Sequence, residues 1–448
     1  MSKGLRIRRG ATINLKGKAE KIIQESAPLS TYALLPDDFF ALTPKMHLKE
    51  GAKVQAGTPV FYSKSNPSIQ FVSPVSGTLK AIVRGAKRKI LEVIIEANGT
   101  DAITHKVGNP QSMKREAIIS LLLESGCWPF IRQRPYNVIA DPEVTPKAIY
   151  ISTYASAPLD VDFEFFLKYQ LEQFQKGIDV LNQLTSTIYL ATDQNYRDGF
   201  AKIENVNQIA VSGPHPAGNE SIIIHHTNPL AMHEKVWTIR PEDVVNIGLL
   251  FETGQYAAQR TIAVAGSPVG KPHYIKTKIG AQIAPLCEMT QVDTQKNLRY
   301  INGDVLTGRQ TQPQSHIGFY NNLLSIIPEG NQYRMFGWMP FKDSNIPSLS
   351  KTSFSWLFNS AKEVDTNLNG EERALVVTGE MEKVFPMDIY PMQLLKACMT
   401  GDIEKMEFLG IYEVIPEDFG LIDFANTSKI EAQEIIKNAM NLMLKEVG

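Results

Sequence analysis

Cysteine is scarce in this 448-residue chain, and the three present, Cys127, Cys287 and Cys398, stand far apart. Without paired spacing they build neither a disulfide framework nor a four-thiol zinc site. An intracellular, reducing compartment is the economical expectation. Long hydrophobic runs are lacking too: the longest, Ala117 to Leu123, falls far short of the roughly 20 apolar residues of a spanning helix. The basic N-terminal stretch from Met1 to Leu15 leads into no apolar segment, which argues against a signal peptide. Excess charge of either sign is also absent. Lys plus Arg total 46 against 47 Asp plus Glu, so there is no electrostatic footprint for nucleic acid or an anionic membrane surface. Neither a solenoid repeat nor a low-complexity tract occurs.

What is present is a globular composition, 43% apolar and 21% charged, on a chain long enough for about three domains. From Lys45 to Glu96, glycines at 51, 57, 77 and 85 punctuate short runs carrying Val54, Val60, Phe61, Ile69, Phe71, Leu79, Ile82 and Leu91 to Ile95. That is the rhythm of strands joined by tight turns, a small β-barrel. Met1 to Thr43, with extended runs at Tyr32 to Leu35 and Phe39 to Leu42, is expected to complete it.

Beyond Asn98-Gly99 the hydrophobic period changes. Met113 to Glu124 puts Ile118, Leu121 and Leu122 on one helical stripe. Strands are expected at Ala148 to Ile151, Ser186 to Ala191, Ile209 to Ser212 and Ser221 to His225, with helices at Phe163 to Leu184 and Pro241 to Tyr256. Such alternation predicts a parallel, Rossmann-like α/β sheet. A two-residue period returns after Arg260, and Gly337 to Asn369, with Phe354, Trp356 and Phe358, reads as an extended connector. The rest is helical, with stripes at Met392 to Cys398, Ile403 to Phe408 and Ile430 to Leu444.

The barrel stretch, with KEGAKVQAGTPVF followed by SPVSGTLKAI, resembles the biotinyl/lipoyl barrel-sandwich family. Carrier members place a modifiable lysine seven residues before the serine of the second run; here that position is Asn66 and Lys64 lies two residues off, so a docking or structural barrel is favoured over a carrier. The run GSPVGKPHYIKTKIG resembles the soluble-ligand-binding β-grasp module. The expected organisation is thus a multidomain α/β chain: a barrel-sandwich hybrid at 1–103, a Rossmann-like domain at 104–256, a β-grasp domain at 257–335, and a connector with a C-terminal helical domain at 336–448.

That order resembles the flavin-bearing, NADH-oxidising subunit of respiratory complex I and the electron-input subunit of ferredoxin:NAD oxidoreductases. Those families cradle flavin phosphate in a glycine-rich loop, and the corresponding stretch, Ser125 to Pro135, keeps only Gly126. Trp128 and Phe130 fill the space instead, which disfavours flavin and NADH. The families' iron–sulfur cysteines correspond to Leu375, Thr378, Met381 and Phe385, then Val414, Glu417, Gly420 and Phe424, none of them a thiol. This implies a helical tail resembling a ferredoxin domain without clusters.

A closer resemblance rests on the loop Gly213 to Glu220, on TYALLPDDFFALTPK at Thr31 to Lys45 and on NPSIQFVSPVSGT at Asn66 to Thr78. On these the chain is identified as a member of the A-subunit family of sodium-translocating NADH:quinone reductases. The resemblance implies a cofactor-free component, peripheral on the cytoplasmic face of the bacterial inner membrane. Its partners would be the integral and flavin-bearing subunits of a six-subunit complex that couples NADH oxidation and quinone reduction to Na+ export. Flavins and iron–sulfur centres are expected on those partners. Ubiquinone or menaquinone is the small molecule to consider for this chain, alternatively at a quinone site of its own.

Candidate contacts for quinone or a partner are His215, Pro216, Gly218, Asn219, Trp128 and Phe130; no catalytic or metal-ligating residue is assigned. His215 is held between prolines, either as a quinone-carbonyl partner or in a packing loop, with packing favoured. Arg132 and Arg134 read as an anion clamp or, preferentially, as solvated surface groups. Cys127 reads as a buried structural thiol, and Glu242, Asp243, Glu380, Glu382 and Lys383 as ordinary helix-end charges. His225 and His226, on a presumed strand, would face opposite ways. Expected docking surfaces are the hairpin around Asn66, the loop Gly213 to Glu220, and Lys271 to His273.

Overall fold

The first three strands each join a different sheet: β1 (Lys3–Arg6), β2 (Glu20–Glu25) and β3 (Thr31–Leu34). The computed structural model describes residues 3–196, 198–331, 346–349, 357 and 360–447. The expected completion of the barrel by the whole N-terminal segment therefore holds for β3 alone. Phe39 to Leu42 is not a strand either. A 3-10 turn at Pro36–Asp38 precedes it, and the Phe39 ring packs 4.5 Å from Phe71 and 4.9 Å from Phe319.

β4 (Pro44–Met46), β5 (Lys53–Val54), β6 (Pro59–Ser63), β7 (Gln70–Val72), β8 (Ser76–Arg84) and β9 (Ile90–Gly99) complete the barrel-sandwich hybrid. One sheet runs β3-β9-β8-β5 and the other β4-β6-β7. Val60, Phe61, Phe71, Leu79, Val93 and Ile95 are buried; Val93 and Ile95 follow strand alternation, whereas the adjacent Val60 and Phe61 sit at a register shift in the β6–β7 pairing. The hairpin tip is an Asx turn, Asn66 Oδ1 accepting from the Ser68 backbone N–H at 3.1 Å.

In the α/β part the chain runs through α1 (Arg115–Glu124), β10 (Arg132–Arg134), β11 (Val138–Ile139), β12 (Ile149–Ser152), α2 (Phe163–Phe166) and α3 (Leu171–Leu181). β13 (Ile188–Asp193), β14 (Asn207–Ser212), α4 (Glu220–Thr227), β15 (Val236–Thr238) and α5 (Pro241–Thr253) follow. The sheet order is β1-β14-β13-β12-β15-β10-β11, parallel as far as β15 and antiparallel beyond. The central strand β12 is buried on both faces and shows no polar alternation. The helix expected from Phe163 to Leu184 is two helices. The break at Gln170 brings its amide Nε2 2.9 Å from Gln259 Oε1. α5 ends at Gly254 (φ 73°), the left-handed cap that glycine adopts without strain.

The segment Ser221 to His225, expected as a strand, is helical. Ile222, Ile223 and Ile224 are all buried, so the run carries no visible period. The N-terminal signal decides instead: Glu220 lies in the first turn, where its carboxylate complements the helix dipole. The two histidines thus do not alternate across a strand; their rings lie 5.2 Å apart on one helix end.

β16 (Gln259–Ala265), β17 (His273–Lys278), α6 (Ile283–Met289), β18 (Leu298–Asn302), β19 (Arg309–Thr311) and β20 (Leu323–Pro328) form the β-grasp unit. Its sheet is β19-β18-β20-β16-β17-β2. Ile262, Val264, Ile275, Ile283, Leu286, Leu324 and Ile326 form its core without exposure.

The tail is built from α7 (Glu380–Val384), α8 (Pro391–Thr400), α9 (Ile403–Phe408), α10 (Gly420–Ala425) and α11 (Ala432–Glu446). Of the positions corresponding to cluster cysteines, Met381, Phe385 and Val414 are buried in its apolar core. Phe354, Trp356 and Phe358 lie outside the described residues.

Candidate functional site

A cavity of about 1110 Å³ opens where all four parts meet. Its wall takes Asp38 and Glu92 from the barrel, Arg132, Arg134, His215, Glu220 and Arg240 from the α/β part, Asp304 and Tyr320 from the β-grasp unit, and Asp418 from the tail. The strand period assembles the arginines: Arg132 and Arg134 leave one face of β10, while Gln133 on the other accepts from Trp237 Nε1 at 3.3 Å.

These arginines are not solvated surface groups. Arg132 is 8% and Arg134 3% exposed. The Arg132 guanidinium lies 5.0 Å from the Tyr320 ring centroid and 3.8 Å from Glu220. Burial pushes the Glu220 carboxyl up, but Arg132, Arg134 and Arg240 outweigh it and hold the group below its ordinary range. Burial raises Asp38, Asp160 and Asp418 to about 6, with Arg134 pulling Asp418 the other way.

Gly213 to Glu220 turns into the molecule. The Tyr154 hydroxyl donates to the Gly213 carbonyl at 2.7 Å, Ser156 Oγ accepts from the Gly218 N–H at 2.9 Å, and Asn219 Nδ2 donates to Asp418 Oδ1 at 3.2 Å. It is therefore not a protruding docking surface. His215, joined to Pro216 by a cis peptide, is buried with Nδ1 3.2 Å from Ser156 Oγ. Burial lowers its pKa below the ordinary value of 6.5 and favours the neutral ring. Nε2 has no hydrogen-bond partner among the described residues.

Of the six candidate contacts, His215, Gly218 and Asn219 line this cavity, whereas Pro216, Trp128 and Phe130 do not. Trp128 and Phe130 are fully buried; Trp128 Nε1 donates to the Ala140 carbonyl at 2.7 Å, and Phe130 stacks on Tyr256 at 5.9 Å. Cys127 is buried beside them, and burial pushes its thiol to about 12, an unreactive state. His273 is also turned inward, against Lys271 O and the Gln24 side chain.

Glu242 and Asp243 are no ordinary helix-end charges. Both are fully buried against Arg260, whose Nη1 is 3.6 Å from Glu242 Oε2 and whose Nη2 is 2.7 Å from Asp243 Oδ1. Glu242 Oε2 also accepts from the Thr261 backbone N–H and Asn322 Nδ2. Sequence reasoning missed this network and the cavity carboxylates Asp160, Asp304 and Asp418. Their partners lie far along the chain, and only the alternation of Arg132 and Arg134 about a central glutamine was a local signal.

Among the described residues no group of three or more His, Cys, Asp or Glu side chains is placed to hold a metal ion. Among them, too, no helix is long and apolar enough to cross a membrane.

A barrel-sandwich hybrid, a parallel α/β sheet, a β-grasp unit and a helical tail around a polar cavity define a multidomain α/β protein. Three family models match: the NqrA N-terminal barrel-sandwich hybrid domain over residues 5–98, the NqrA second alpha/beta domain over 113–256 and the NQRA C-terminal domain over 261–312. The A subunit of the Na+-translocating NADH-quinone reductase of Neisseria meningitidis serogroup B is 32% identical over 447 residues, covering 99% of this chain and 100% of that one. Its counterpart from Rhodopirellula baltica is 33% identical over 454 residues, covering 98% of each. The chain belongs to the NqrA family, the A subunits of Na+-translocating NADH-quinone reductases.

Proposed function

We propose that the chain serves as the A subunit of a respiratory Na+-translocating NADH:quinone reductase, seated on the cytoplasmic face of the membrane by protein contact with integral and flavin-bearing subunits. The complex couples NADH oxidation and quinone reduction to Na+ export, with flavins and iron–sulfur centres on the partners and none on this chain. The observation that carries the reading is similarity along the whole chain to NqrA proteins. The packing of Trp128 and Phe130 supports the part concerning flavin, because their side chains occupy the volume that a glycine-rich phosphate loop leaves free. The exposed hairpin at Asn66 remains as a docking surface. An affinity-tagged chain extracted from its native membranes in mild detergent is expected to bring integral membrane proteins with it in fixed ratio. Recovery of the chain alone would contradict the reading.

A second reading, a quinone head group in the cavity, is favoured by His215, which lines the cavity and whose Nε2 has no hydrogen-bond partner among the described residues. Titration with a short-chain, water-soluble ubiquinone is then expected to saturate in the micromolar range and to weaken in His215→Gln. Absence of binding, or equal binding by the variant, would remove it.

A further inference from the structure

Three arginines line the cavity, and the guanidinium of one has no hydrogen-bond partner among the described residues. Arg132 and Arg134 share one face of β10; Arg240 follows β15, the strand paired beside it. Arg132 is held by Tyr320 and Glu220. Arg134 is 3% exposed, yet among the described residues its Nε, Nη1 and Nη2 are all buried without a hydrogen-bond partner, as are Nε of Arg132 and of Arg240. A buried guanidinium stripped of water and left unbonded is strongly unfavourable.

Asp418, Glu220 and Glu417 attract this charge, but among the described residues none of them makes a hydrogen bond to it. Glu220 is shared among all three arginines. Asp418 Oδ1 accepts from Asn219 Nδ2 and Oδ2 from the Ile415 N–H at 3.0 Å. Asp160 turns its oxygens to its own loop, accepting from the N–H groups of Ala157 and Val161. Two helix N-termini open on the same space: Gly218, Asn219 and Glu220 begin α4 there, and Arg240 and Pro241 begin α5. Both add partial positive charge. Ser152, at the C-terminal end of parallel strand β12, also lines it, the end at which open α/β sheets receive ligands.

We propose that Arg134, flanked by Arg132 and Arg240, binds the phosphate group of a small molecule in this cavity. A planar guanidinium presents parallel N–H donors that match an oxyanion in bidentate fashion, and burial strengthens the pairing. The volume of about 1110 Å³ accommodates a ligand of nucleotide size attached to that phosphate. The inference goes beyond the quinone reading, since a quinone bears no charge, and stands without it.

The test is calorimetric titration of the full chain, in phosphate-free buffer at matched chloride, with inorganic phosphate and with adenosine monophosphate. One equivalent of each is expected to bind, each displacing the other. Arg134→Met is expected to bind at least tenfold more weakly while its melting temperature without phosphate is unchanged or higher, because an unbonded buried charge has been removed. A merely structural arginine would instead lower it. Arg134→Lys keeps the charge without the fork and falls between; Arg309→Gln, at the exposed rim, binds as the parent does. Should Arg134→Met fail to fold, the Arg134 side-chain NMR signals must shift on adding phosphate. Failure of both probes to bind the parent chain, or equal binding by Arg134→Met or Arg134→Lys and parent, overturns the proposal. Binding of inorganic phosphate without the nucleotide overturns the phosphate ester as ligand.

Discussion

Arg260 Nη2 lies 2.7 Å from Asp243 Oδ1, with neither side chain exposed, and ties the first turn of α5 to β16. Replacing one partner leaves the other charge buried and unpaired, which costs about 3–5 kcal/mol. Arg260→Met is therefore expected to lose stability of that size by denaturant titration, and adding Glu242→Gln and Asp243→Asn is expected to restore part of it. A single-variant cost under about 1 kcal/mol would show that the triad is not under electrostatic constraint.

Gly126 holds the turn between α1 and the Trp128 segment at φ 77°, and a Cβ there would come within 2.5 Å of both Val72 methyl groups of the barrel. Gly126→Ala meets backbone strain and a clash at once. A loss of about 2 kcal/mol or more is expected. Thermal melting with the parent's midpoint would contradict the tight barrel contact.

Asp418 sets a pH dependence. Burial raises its carboxyl from 3.8 to about 6 in the folded chain, so the folded state holds this proton more tightly than the unfolded state. The resulting stabilisation is full below about 3.8 and is lost as pH rises through about 6. Asp418→Asn lacks this titration. The stability of the parent minus that of the variant is expected to fall, by up to about 3 kcal/mol, between pH 4 and pH 7.5. A difference that is flat or rises across that interval would contradict the assignment.

β1 belongs to the α/β sheet, pairing Lys3 to Ile209 and Arg6 to Ser212. Removing residues 1–8 is expected to speed amide exchange along Asn207–Ser212 while leaving Val93 and Ile95 of the barrel protected. Faster exchange confined to the barrel would contradict the pairing.

Much of this fold was legible because its signals are local. The glycines around Val54, Val60 and Leu79 marked barrel turns, and the stripes on α1 and α11 marked helices. What was not legible depends on distant partners. Nothing within Leu5 or Ile23 states that their strands join sheets formed by residues 207–212 and 273–278. The triplet Ile222 to Ile224 is buried all round, so its β-branched side chains read as strand while Glu220 in the first turn carried the true signal. The prolines flanking His215 mark its loop locally, and the structure brings that loop to the cavity wall. Arg132 and Arg134 were noticed but placed in solvent, because arginine burial is fixed by what covers it, here Tyr320, Glu220 and the tail at Asp418.

The central claim, membership of a working quinone-reductase complex, is tested most directly by reconstitution. Membranes from native cells deleted for this chain are assayed for Na+-stimulated NADH:quinone reduction before and after adding the purified protein. The account predicts that the Na+-stimulated rate is lost on deletion and returns, in saturable fashion, with about one equivalent of the chain per complex. Full Na+-stimulated activity in the deleted membranes would contradict it.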